Sequence, residues 1–200
     1  MKYLLGIVII ALLGIGGYYA WGALSQPIVP ESAPQPHLEN TSTYATSTFS
    51  IRYPSTYSVN DAYAYDQFAG KPIAGVKFTI SETVATGTNL SSYDTGVSVE
   101  WLPRARSCTG DIFIVPNVKT IDLTVGSTTY SVATTTGAGA GNFYEEQVFA
   151  LKGSKPCTAV RYFIHSSNIG NFDPGAVAAF DRGALLSTFD AIRDSLTLVP

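Results

Sequence analysis

The sequence predicts an α+β fold: an N-terminal transmembrane helix, then a central antiparallel β-sheet flanked by helix. Three observations carry this. An uncharged apolar run from Tyr3 to Leu24 precedes everything else, two-residue alternation recurs between Phe49 and His165, and a period of three and four takes over near the C-terminus. Twelve tyrosines, 12% aromatic and only 14% charged residues fit a folded, β-leaning chain rather than a disordered one.

The apolar run sets the compartment. Its 22 residues would span about 33 Å as a helix, against a hydrocarbon core of about 30 Å. Lys2 is the only charge before it and the next are Glu31 and Glu39, so the positive-inside bias puts the N-terminus in the cytoplasm and the remainder outside. Tyr18, Tyr19 and Trp21 lie near the outer end, where amphipathic aromatics favour the interface. The expected location is therefore the cell membrane, single-pass, held by residues 3–24 as a signal anchor. The competing reading is a signal peptide cleaved near Ser25, after which the protein is secreted. Gly6 and Gly14 offer a small-residue face for helix self-association, a structural alternative for the whole protein.

The chain divides into an anchor over 1–24, a linker over 25–47 and an extracytoplasmic domain over 48–200. Pro27, Pro30, Pro34 and Pro36 extend the linker, and Thr41–Ser47 shows no apolar period. Without Lys2 the net charge moves from −3 to −4. A weakly acidic exported domain gives no reason to expect nucleic acid. Cys108 and Cys157 are the two cysteines, and an even count in an exported chain predicts a disulfide closing 49 residues.

Strands follow in order. Phe49, Ile51 and Tyr53 alternate with Ser50 and Arg52 until Pro54 stops the run. A segment from Tyr57 and Val59 continues through Tyr63 and Tyr65. Val76, Phe78 and Ile80 alternate, as do Val97, Val99 and Trp101, with a polar loop over 81–95 between them. Asp111–Val115 predicts a short strand. Val118–Val125 and Thr128–Thr134 predict a hairpin around Gly126-Ser127, and Gly137–Gly141 a hairpin tip. Asn142–Lys152 and Cys157–His165 add two strands joined by Gly153–Pro156. Hairpin succession implies an antiparallel sheet of seven or eight strands. Asp173-Pro174 predicts a helix start, with Val177, Phe180, Ala184, Leu185, Thr188, Phe189, Ile192 and Leu196 on its apolar face and Asp181, Arg182, Asp190, Arg193 and Asp194 on the other.

Two stretches resemble a known family. Phe49-Ser50-Ile51-Arg52-Tyr53-Pro54 with Tyr57-Ser58-Val59 is similar to the opening of PsbP-like domains, and Phe189–Leu198 is similar to their closing helix and short strand. Tyr57 stands where those domains usually carry Trp, and the cysteine pair is not one of their hallmarks. The resemblance implies a central antiparallel sheet flanked by helices and transfers no functional residue.

Catalytic signatures are missing from the sequence. There is no G-x-S-x-G, no S-x-x-K and no C-x-x-C, and Gly137–Gly141 lacks the following helix that a phosphate loop needs. No cofactor or metal pattern is recognisable. Asp94, Glu100 and Asp111 have no EF-hand spacing, and adjacent Glu145 and Glu146 point to opposite strand faces. His165 is the sole histidine of the domain, and it carries the enzyme alternative, a hydrolase in which folding brings an acid to it. Tyr57, Tyr63, Tyr65 and His165 are the candidate ligand-facing residues. The expected function is a membrane-anchored, non-catalytic binding or accessory module for an envelope protein or a cell-wall component.

Overall fold

A computed structural model describes Leu38, residues 40–115 and residues 117–199. The apolar run 3–24 and most of the linker lie outside the described residues. Among those residues, no helix is long and apolar enough to cross a membrane.

The strands are β1 Thr41–Ala45, β2 Phe49–Pro54, β3 Ser58–Asn60, β4 Ala64–Tyr65, β5 Ile73–Thr79, β6 Gly96–Leu102, β7 Ile121–Val125, β8 Thr128–Gly139, β9 Asn142–Leu151, β10 Cys157–Ser167 and β11 Thr197–Leu198; the helices are α1 Glu82–Ala85 and α2 Arg182–Asp194. A main sheet runs β3-β5-β6-β10-β9-β8-β7, with β4 also paired to β5. A small sheet runs β1-β2-β11. The strand pairings are antiparallel, as hairpin succession requires.

Alternation assigns each main strand two faces. One face carries Val76, Phe78, Val97, Val99, Tyr130, Val132, Phe149, Val160, Tyr162 and Ile164 into the larger core. The small sheet covers part of it with Phe49 and Ile51, and α2 adds Leu185, Phe189 and Ile192. Tyr53 stacks 4.7 Å from Phe78, and Phe189 meets Tyr162 edge-on at 5.3 Å. The opposite face is also covered. Tyr65, Ile73, Phe113, Ile114, Ala133, Val148, Ala150 and Ala159 form a second core there. Hence Ser98 and Glu100, which alternate with buried valines and read as solvent-facing, are themselves buried.

The disulfide is present: Cys108 and Cys157 have Cα atoms 5.1 Å apart. It ties the segment after β6 to the start of β10. Gly110 rests so close to β8 that a Cβ there would meet Ala133 N at 2.7 Å and Ser131 O at 2.8 Å. A side chain would push the segment off the sheet.

Five expectations change. Thr41–Ala45, read as linker, pair with β2 in register from Thr41↔Pro54 to Ala45↔Ser50. Ser42 and Tyr44 are half-buried while Thr41, Thr43 and Ala45 are exposed, an alternation that a hydrophobic pattern does not reveal. Asp111–Val115 form no strand; Gly110–Phe113 is a 3-10 turn. The loop 81–95 contains α1. The C-terminal helix starts at Arg182, not after Asp173. Asp173-Pro174-Gly175-Ala176 is instead a turn, with Gly175 at φ 82° and Ala176 N–H donating to Asp173 O at 3.0 Å. Proline then glycine at the central positions suits a type II turn as well as a helix start. Asp181 is the cap, its carboxylate accepting from Ala184 N–H at 2.9 Å. Arg193, placed on the polar face, is buried: it pairs with Asp190 and Asp194 at 2.7 and 2.8 Å and lies 4.6 Å from the Phe149 ring centre.

Candidate functional site

The second face of the sheet is covered unevenly. Near Cys157 the disulfide-held segment lies over it. Toward the other ends of β8, β9 and β10 that cover gives out, leaving a cavity of about 600 Å³ roofed by residues 63–67. Strand register dictates its floor. Lys77 is opposite Ser98, and Ser98 opposite Arg161. In the next row, Gly96 is opposite Phe163, Phe163 opposite Glu146, and Glu146 opposite Thr135. Beyond that, His165 is opposite Tyr144 and Tyr144 opposite Gly137. Gly137 leaves space there, since a Cβ would meet nothing within 4 Å, whereas Gly96 lies against β5, where a Cβ would collide with the Phe78 carbonyl.

Arg161 is the centre of the buried polar network. Its side chain is 1% exposed, and that of Glu100 is 0% exposed. Nε and Nη2 donate to the two Glu100 oxygens at 2.7 and 2.8 Å, a bidentate pair. Nη1 donates to Glu146, and Nη2 also to the Phe113 carbonyl at 2.5 Å. Ser98 donates to Glu100 at 2.7 Å and Tyr65 to Glu146 at 3.2 Å. The guanidinium lies flat against Tyr65, 3.6 Å from the ring centre. Burial opposes the charge, but Glu100 and Glu146 outweigh it and hold Arg161 above the ordinary guanidinium range. Each of the three guanidinium nitrogens is engaged, so this network is scaffold for the cavity rather than a free reactive group.

Lys77 differs. Among the described residues no carboxylate pairs with it within 4.0 Å, and its ammonium lies 5.3 Å from the Phe163 ring centre and 5.5 Å from that of Tyr63. Burial lowers its pKa, with Asp94 and Glu100 pulling the other way. Burial also raises the Tyr63 and Tyr65 hydroxyls, so both stay neutral phenols.

His165 has found an acid. Its Nδ1 is 2.8 and 3.0 Å from the Asp94 oxygens, and Ser91 donates to the same carboxylate at 3.1 Å. The imidazole stacks 4.7 Å from Tyr144. Its Nε2 is buried without a hydrogen-bond partner. This is the orienting half of a catalytic pair without a nucleophile bonded to its working nitrogen.

The four candidate residues thus separate. Tyr63 and Tyr65 line the cavity, and His165 stands behind its wall members Asp94 and Tyr144. Tyr57 belongs to the first core, beside a different groove that includes Leu90, Phe180 and Leu185. An aromatic platform joining Tyr57 to Tyr63 does not form. Asp94 goes to His165 and Glu100 to Arg161 instead of gathering with Asp111, and among the described residues no group of three or more His, Cys, Asp and Glu is placed to hold a metal ion. Lys77, Asp94, Tyr144, Glu146 and Phe163 were missed as cavity residues. Their only signal was a polar or aromatic side chain at alternate positions of otherwise apolar strands, which also describes a solvated face.

No family model matches the chain, and no curated protein gives a match. Among solved structures the chain is similar to the solution structure of cyanobacterial PsbP from Synechocystis sp. PCC 6803, with a TM-score of 0.42 and 12% identity, covering 85% of this chain and 99% of that one.

Proposed function

We propose that the protein is a membrane-anchored, extracytoplasmic, non-catalytic binding or accessory module, acting on an envelope protein or a cell-wall component through the cavity above Arg161. One observation carries the reading. The cavity is of small-molecule size, within the usual range of about 300–1,000 Å³, yet apart from Lys77 and Asp66 its acids and bases are committed to one another. Glu100 and Glu146 hold Arg161, Asp94 holds His165, and the remaining His165 nitrogen is buried. Aromatic faces and hydrogen-bonding groups are left to contact a ligand. Anchoring by residues 3–24 supplies the location.

The test is turnover by the full chain against panels of esters, peptides and glycans. The expected result is none. Hydrolysis that disappears in His165→Ala would overturn the proposal.

The His165–Asp94 contact favours a second reading, a hydrolase with His165 as general base. That reading requires Nε2 to become accessible when substrate binds, because a base must reach the proton it removes. Its sign would be a pH-dependent rate lost in both His165→Ala and Asp94→Asn.

A further inference from the structure

We infer that the cavity takes a neutral, hydroxyl-rich ligand, a saccharide, whose ring faces lie on Tyr144 and Phe163 and whose hydroxyls bond to Lys77, Asp94 and Glu146. This rests on the binding-module reading and names its ligand class.

Charge excludes the alternatives first. Asp66, Asp94 and Glu146 line the cavity, and among the described residues Lys77 is the one cation lining it. Arg161, just beneath, is already matched by Glu100 and Glu146. An anionic ligand would therefore meet an excess of carboxylate. A cationic one would meet the Lys77 ammonium, which already occupies the place beside Tyr63 and Phe163 where a ligand cation would seek aromatic faces.

Hydrogen-bond chemistry then selects. Carboxylates only accept and an ammonium only donates. A ligand that answers both from one small body needs groups that do both, and hydroxyls are those groups. Burial makes an unanswered Lys77 costly, so a ligand oxygen at that place gains from a donor held dry.

Backbone geometry leaves one place for a peptide strand. β5, β6, β10 and β9 lie within the main sheet, but β8 pairs with β7 only over Thr128–Val132, and over Ala133–Gly139 it pairs with β9 alone. A peptide added there is the competing occupant; over the rest of the floor recognition comes from side chains, whose exposed apolar parts are aromatic faces.

Gly137 provides a clean test. It lines the cavity, and a Cβ there would meet nothing within 4 Å. Gly137→Leu should therefore fill the mouth while leaving the fold intact, which an unchanged melting temperature verifies. The full chain, purified in a detergent without a sugar headgroup, is titrated calorimetrically with neutral cellotetraose and chitotetraose, anionic tetragalacturonate, a cationic chitosan tetramer, and tetraalanine. The inference expects at least one neutral tetramer to bind about tenfold or more tighter than the charged sugars, an advantage of about 1.4 kcal/mol. Gly137→Leu and Tyr144→Ala should each weaken that binding by about tenfold or more. Binding of neither neutral tetramer, neutral binding that survives Gly137→Leu, or charged sugars bound equally well would overturn it. Tetraalanine bound in the same cavity would also overturn the saccharide while leaving the binding module standing. Cleavage of any of these probes would instead remove the non-catalytic reading.

Discussion

Arg161 shows how one residue can be indispensable in place and dispensable in principle. A guanidinium that is 1% exposed lies between Glu100 and Glu146. Removing it leaves the fully buried Glu100 carboxylate without a counter-charge, with Ser98 still donating to it. Arg161→Met is expected to cost about 3–5 kcal/mol in urea unfolding, the usual effect of breaking a buried pair from one side. Arg161→Met with Glu100→Gln should recover part of that loss, because the stranded charge is gone. Titration offers a second check at this scale. Burial raises the Tyr57 hydroxyl from 10.0 to about 12. Between those values the unfolded state has already lost its proton while the folded state keeps it, so stability falls as pH rises from about 10 to 12. Tyr57→Phe should flatten that fall in unfolding measured across the alkaline range. Lys77 behaves oppositely. Its pKa is lowered by burial, so below 10.5 and down to its folded value the unfolded state holds more protons and stability rises with pH. Lys77→Met should stabilise near neutrality, and the gain should shrink toward pH 10.5.

At the level of elements, the cover over the second sheet face depends on the disulfide. Cys108–Cys157 closes 49 residues, a constraint worth about 4 kcal/mol by loop entropy. Its loss should do more than lower stability. The segment bearing Phe113 would loosen, and with it the carbonyl that accepts from Arg161. Cys108→Ser with Cys157→Ser is expected to speed hydrogen exchange over residues 103–118 and 161 before the helix face responds. In α2, Asp181→Ala removes the cap on Ala184 N–H and should cost about 1 kcal/mol in thermal unfolding. The same substitution at Asp173 should cost less, since its side chain starts no helix. Helix register was misread for this reason: the Pro174 signal is real but its turn is closed by Gly175, and the three-and-four period holds for Leu185, Phe189 and Ile192 only after Asp181.

For the molecule as a whole, anchor and domain make separate predictions. If residues 3–24 hold the chain with its C-terminus outside, the full chain should sediment with membranes, and external protease should digest the domain of intact spheroplasts. Deleting residues 3–24 should leave both Cys108 and Cys157 reduced in the cytoplasm, detectable by thiol labelling. A chain shortened by cleavage near Ser25 and recovered in the medium would replace anchoring by secretion.

The sequence by itself determined the strands whose alternation faces an apolar core, the hairpin around Gly126-Ser127, the disulfide partners and the apolar face of α2, because two-residue and three-to-four-residue periods are local properties. It did not determine β1, whose threonines carry no hydrophobic period, nor the burial of Ser98, Glu100 and Arg161. A strand cannot say whether its polar side meets water or another layer. Only the tertiary structure decided that, by laying the disulfide-held segment and residues 63–68 over the second face. It also decided where that cover ends, and so where the cavity lies. Register between distant strands brought Lys77, Tyr144, Glu146 and Phe163 to one place, and register is a property of pairing that no single strand contains.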